Sequence, residues 1–160
     1  MERGRLLRAA YVALQCTWGA AQTILGLCVF ALCSKAARWR YHGAIVTQWR
    51  AKSSMSLGLF VFVCAGADFA GPLRGQMRKE ELARRLLVHE YGHTIQSLIL
   101  GPVYLLAVGV PSTLWGFLPC LRRRRREQGA SYFSFFPERW ANHLGERVTG
   151  EVSMEMLKIE

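Results

Sequence analysis

The sequence predicts a mostly α-helical membrane protein with one transmembrane helix, a small β-hairpin and a broken, re-entrant pair of apolar segments. Three observations carry that prediction. Two runs hold no charged side chain, Ala9 to Ser34 over 26 residues and Thr94 to Leu121 over 28, and each is long enough to cross a hydrocarbon layer as helix. Between them lie two short runs rich in β-branched and aromatic residues, with small polar residues separating them. The string His89-Glu90-Tyr91-Gly92-His93 sets two imidazoles four residues apart within a helical pattern. At 160 residues the chain has room for a single domain, 1–160.

The first span is expected over 9–33. Arg3, Arg5 and Arg8 precede it, as in a signal peptide, but the run is too long for one. Its end, Leu32-Cys33-Ser34-Lys35, matches a cleavage site poorly, so a retained anchor is expected. Gln15, Gly19, Gln22 and Gly26 argue that it packs on other helices rather than standing in lipid. A basic stretch, Lys35 to Lys52, leads into the expected β-hairpin over 42–64, built from Ala44-Ile45-Val46-Thr47 and Leu59 to Val63. Gly66 to Gly75 reads as a loop, with Asp68, the only Asp of the chain, as a turn residue rather than a ligand.

A helix is expected over 78–100, because Leu82, Leu86, His89, His93 and Gln96 fall at three- and four-residue steps on one face. Gly101-Pro102 stops it. The next segment, 102–119, is apolar but interrupted by Gly109, Pro111 and Gly116, and is expected to climb back out of the membrane as a re-entrant arm. Such a reversal returns everything after Arg122 to the side of His89. Pro137 suits the first turn of a last short helix, 137–145.

Charge and cysteines fit a membrane setting. Lys plus Arg number 21 against 11 acids, for a net charge of +10. With no nucleic-acid-binding module to use it, the excess is expected to face the lipid bilayer, with Arg122 to Arg126 as an anchor. Five basic residues follow the first span and three precede it, a bias that puts the N-terminus outside and the active-site mouth towards the cytoplasm. Trp39, Trp49, Trp115 and Trp140 fit interfacial anchors, and His42 a surface histidine. The five cysteines lack CxxC spacing and read as small buried hydrophobes.

The chemistry is expected at the histidines. His89 and His93 can grip Zn2+ from one helix face, and Glu90 stands where it can take a proton from a water polarised by the metal. A catalytic zinc usually has three protein ligands. Glu127, Glu138, His143, Glu146 and the acids of the tail are candidates for the third. Glu138 has the best context: Ala141 and Asn142 follow at i+3 and i+4 on its face, the first allowing close helix approach and the second able to orient a ligating histidine. The bland reading of Glu138 is a charge favoured in a helix's first turn. His143, Tyr104 and Tyr132 are open candidates for stabilising an oxyanion.

Glu138-x-x-Ala141-Asn142 downstream of HExxH resembles the membrane gluzincins, which include the CAAX prenyl proteases and bacterial heat-shock membrane proteases. Their second motif ends in Asp, so Asn142 is a departure that keeps a hydrogen-bonding side chain and loses a charge. The string from His89 to Ser97, with Gly101-Pro102, Tyr104-Leu105 and Pro111-Ser112, also resembles small uncharacterised bacterial membrane proteins bearing HEYGH. The resemblance spans roughly 57 to 145. It implies a helical zincin-like core, a bacterial inner-membrane location and a zinc-dependent endopeptidase acting on a peptide or protein substrate, with His89, His93 and Glu138 on the metal and Glu90 as general base. The edge of the hairpin could receive an extended peptide or merely shield apolar surface. A site-2-type protease would need a late Asp, which the chain lacks. The reading from another class is a non-catalytic membrane-anchored binding or scaffold protein with a structural or vestigial zinc site.

Overall fold

The computed structural model describes residues 2–51, 53–64 and 77–154. The expected loop around Asp68 and the last acids of the tail lie outside the described residues. The protein is mostly helical with a small mixed sheet. In order, α1 (Glu2–Thr17) and α2 (Ala20–Leu32) lead to β1 (Arg38–Tyr41), β2 (Ala44–Trp49), β3 (Met55–Leu57) and β4 (Phe60–Cys64). Helix α3 (Lys79–Leu100) follows, then a 3-10 turn at Gly101–Val103 and a π-helical turn at Leu105–Gly109. The chain continues through α4 (Val110–Phe117), α5 (Pro119–Glu127), a 3-10 turn at Tyr132–Ser134 and α6 (Phe136–Thr149).

The single transmembrane helix expected over 9–33 is instead two helices meeting at 93°. Among the described residues no single helix is long and apolar enough to cross a membrane. Two bent pairs reach the length and composition together: α1 with α2, and Leu105–Phe117 with α5, the latter bent by 71°. The break in the first run has a local cause. Gln15 and Gln22 both turn inward to α3, where Gln15 Nε2 donates to the Thr94 carbonyl at 2.9 Å and Gln22 Nε2 to Ser97 Oγ at 2.8 Å. Gly19 between them has no side chain to block this; a Cβ there would stand 2.6 Å from Gln15 Oε1. Buried amides need partners, and the elbow gives both of them one.

The β-hairpin expected over 42–64 is corrected as well. The four strands are ordered β1-β2-β4-β3, and β2 runs parallel to β4 with Ile45 opposite Phe60. The true hairpins are β1–β2, turning at His42-Gly43, and β3–β4, turning at Gly58-Leu59. His42 and Gly43 both have positive φ (49° and 106°), the conformation that a two-residue turn between right-twisted strands needs. Strand β4 is buried at every position and lies inside the sheet. Val46, Val61 and Phe62 pack with Leu87 and Tyr91 of α3 and Tyr11 of α1 into the main core.

Helix α3 spans nearly the stretch read from its spacing and ends at Gly101, whose φ is +52°. A Cβ there would collide with the Trp18 indole, so the reversal is held by the α1–α2 elbow as well as by Pro102. The segment read as 102–119 is not one arm but the two single turns and α4.

Helix α6 crosses α3 at close range because glycines face backbone on both sides. A Cβ on Gly92 would collide with the Ala141 carbonyl, and one on Gly145 with the Val88 carbonyl. Gly92→Ala is expected to force the helices apart and destabilise the fold by about 2–3 kcal/mol. The midpoint of thermal or denaturant unfolding reads this directly, and an unchanged midpoint would contradict the packing.

Candidate metal centre

Two helices deliver three ligating atoms to one point. His89 and His93 project from the same face of α3 with ring centroids 4.8 Å apart and planes at 84°. Glu138, in the first turn of α6, reaches between them: its Oε2 lies 3.1 Å from His89 Nε2 and 3.4 Å from His93 Nε2. All three ligand atoms fall within 4.8 Å of one another. Ligand bonds of about 2.1 Å in tetrahedral geometry put neighbouring donor atoms about 3.4 Å apart. The spacing to Glu138 is thus compatible with adjacent ligands on one metal ion.

The hydrogen bonds behind the ligands explain why the lone pairs converge. Gln96 Nε2 donates to the Pro137 carbonyl at 2.7 Å, which can only accept, so Gln96 Oε1 faces His93 Nδ1 as an acceptor at 2.7 Å. That fixes the proton of His93 on Nδ1 and leaves Nε2 for the metal. Asn142 Oδ1 does the same for His89 Nδ1 at 2.8 Å, and also accepts from Ser153 Oγ at 2.6 Å. Phe133 packs edge-on against His89 with centroids 5.0 Å apart. Glu138 is fully buried, and its Oε1 has no hydrogen-bond partner. A buried carboxylate with one oxygen between two imidazole nitrogens and the other without a partner among the described residues calls for a cation, and zinc suits an N2O donor set.

Glu90 is buried beside the ligands, and Ser56 Oγ on β3 donates to its Oε2 at 2.9 Å. Burial pushes the Glu90 carboxyl up; His89 and His93 and the Ser56 hydrogen bond oppose this without cancelling it. Burial acts the same way on Glu138, but the charge of His93 and hydrogen bonds from both histidines outweigh it and hold the carboxyl well below its usual range. For His93 burial favours the neutral ring, yet Glu138 by charge and hydrogen bond, with Glu90 and Gln96, raises it to about 9.

Of the oxyanion candidates, Tyr104 is buried with Glu90 and Glu138 close enough for their charges to act on its hydroxyl. Tyr132 also lies against Glu138, which with burial pushes its hydroxyl up, although no hydrogen bond of ordinary geometry joins the two. His143 is exposed. Five residues beyond Glu138 at about 100° per residue, it points some 140° away. None of the other described acids weighed as a ligand joins the cluster: Glu127 is exposed near Arg123, Glu146 accepts from the Ser153 amide and Glu151 pairs with Arg84. The sequence reading missed Gln96, Ser56 and Ser153 as supports. Gln96 was legible in principle, three residues past His93 on its face; Ser56 and Ser153 carry no local signal.

No family model, no curated protein and no solved structure matches this chain.

Two outcomes are expected. Replacing Gln96 or Asn142 with Ala should weaken zinc binding by about 10–100-fold, read by competition with a chelator; unchanged affinity would contradict the supporting role. For metal-free protein the signs are set by the two charges. His93 is raised from 6.5 to about 9, so its stabilisation is complete below 6.5 and lost as pH climbs through about 9. Glu138 is depressed, so its share is present above its ordinary value of 4.5 and lost as pH falls further. Glu90, raised, loses its share as pH climbs above its ordinary value of 4.5. Stability of the chelator-treated protein should therefore fall between 6.5 and 9 in denaturant titrations, and a flat or rising profile would contradict the assignment.

Proposed function

We propose that the chain is a membrane-embedded zinc-dependent endopeptidase, as its resemblance to the membrane gluzincins implies. The observation that carries the reading is the meeting of His89, His93 and Glu138 at ligand spacing, with Glu90 alongside and held by Ser56. Zinc at this site would polarise a scissile carbonyl and make a bound water acidic enough to attack near neutral pH. Glu90 takes the proton from the attacking water and delivers it to the leaving amine. Its raised pKa favours that exchange, because a base poised nearer neutrality gives up its proton again. Tyr132 and Tyr104 stand beside both acids and can donate to the oxygen that gains charge.

A membrane location is supported by apolar surface on the bent pairs. Leu6, Leu7, Ile24, Leu27 and Leu32 of α1 and α2 are more than half exposed, as are Leu106 and Phe117 beyond the Gly101 reversal. Apolar side chains this exposed on both bent pairs favour an apolar environment. The charge bias read from the sequence orients the site towards the cytoplasmic side of a bacterial inner membrane.

The burial of all three ligands, with Glu138 0% exposed, favours a second reading, a closed structural zinc site in a non-catalytic scaffold protein. Glu90→Gln separates the two. The endopeptidase reading expects the variant to retain zinc stoichiometrically while losing peptide hydrolysis by about 1,000-fold or more, measured on a quenched peptide library in detergent. A wild-type protein that holds zinc and cleaves nothing, with the variant indistinguishable from it, would leave the scaffold reading standing.

A further inference from the structure

Away from the metal, a groove of about 640 Å³ lies between α1 and the β1–β2 turn. One wall is a face of α1 carrying Arg8, Ala9, Val12 and Ala13; Arg40 and His42 stand on the other side. Among the described residues no acid lines it. Arg8 and Arg40 are exposed and neither forms an ion pair with a described residue. The nearby acid Glu151 is engaged by Arg84 at 2.6 Å. His42 is fixed in place despite a left-handed backbone at φ 49°, with Tyr41 and Tyr91 packed on its ring at 4.5 and 5.5 Å and the Tyr91 hydroxyl donating to its carbonyl. The two-residue turn itself calls for that φ, and the two ring contacts hold the imidazole at the mouth of the groove.

We infer that this groove binds an anionic phospholipid, its phosphate held by Arg8, Arg40 and His42 and an acyl chain lying along Ala9, Val12 and Ala13. Guanidinium forks match phosphate oxygens in pairs, and the volume is that of a ligand pocket. The α1 wall offers no hydrogen-bonding side chain between Arg8 and Cys16 on this face, which suits an acyl chain and not a sugar or base. Leu6, Leu7 and Leu14 elsewhere on the surface of the same helix are exposed as well. The inference rests on the membrane-bound reading, whose own failure would appear separately as release of the protein from membranes by alkaline carbonate.

The test uses the purified full chain and dihexanoyl phosphatidic acid below its micelle concentration, with dihexanoyl phosphatidylcholine and inorganic phosphate as comparators, titrated by calorimetry. Saturable binding of the anionic lipid is expected, weakened about tenfold or more by the double substitution Arg8→Gln, Arg40→Gln and also by Ala13→Phe, which fills the groove. Zinc content confirms that each variant is folded. Arg123→Gln with Arg124→Gln on α5 should change the affinity less than about threefold. The inference is overturned if no saturable binding occurs or if phosphatidylcholine binds as well. It is equally overturned if phosphate alone matches the lipid, which would mark a bare anion site, or if the α5 substitutions weaken binding as much as those in the groove.

Discussion

The Glu138 carboxylate sits between two imidazoles with none of its surface in water, and the rest of the molecule is arranged to make that tolerable. An isolated buried carboxylate costs several kcal/mol, so α6 can dock on α3 only if a cation or an imidazolium proton meets it there. The docking in turn requires backbone against backbone, which Gly92 and Gly145 permit and a single methyl group would prevent. Gln96 ties the two demands together. Its amide joins His93 to the carbonyl of Pro137, one residue before the ligand, so the interval between the helices is set at the site itself.

Behind α3 a second polar layer supports the same helix from the opposite direction. Gln15, Gln22, Thr94 and Ser97 are joined by hydrogen bonds across the α1–α2 elbow, and Thr23 extends the network to the amide of Leu59 in the sheet. Polar atoms thus collect inside the helix layer while the leucines of α1 and α2 face outward. The sheet completes the support through β3, whose Ser56 holds the carboxylate of Glu90 from across the core.

The legible parts were those encoded by short-range spacing. HEYGH and Glu-x-x-Ala-Asn each fit within one or two helical turns, and 3.6-residue periodicity places their members on one face whatever the surrounding fold. Helix α3 and its Gly101-Pro102 stop were legible for the same reason. Strand pairing was not: alternation gives each strand its faces but not its partner, and β2 and β4 proved parallel with β3 in between along the chain. The elbow at Trp18-Gly19 was hidden by composition, because an uncharged run of 26 residues reads as one span. The two glutamines flanking Gly19 were the sign that this stretch turns inward. Ser153 and Ser56 meet their partners only through tertiary packing.

The central claim is that two imidazole nitrogens and one carboxylate oxygen form a single zinc site. X-ray absorption at the zinc edge of the purified protein tests it most directly. The account predicts a first shell of nitrogen and oxygen only, at about 2.0–2.1 Å, with outer-shell scattering from two imidazole rings that falls to one in His93→Ala. A first shell containing sulfur at about 2.3 Å, or one that loses no imidazole when His93 is removed, would contradict it.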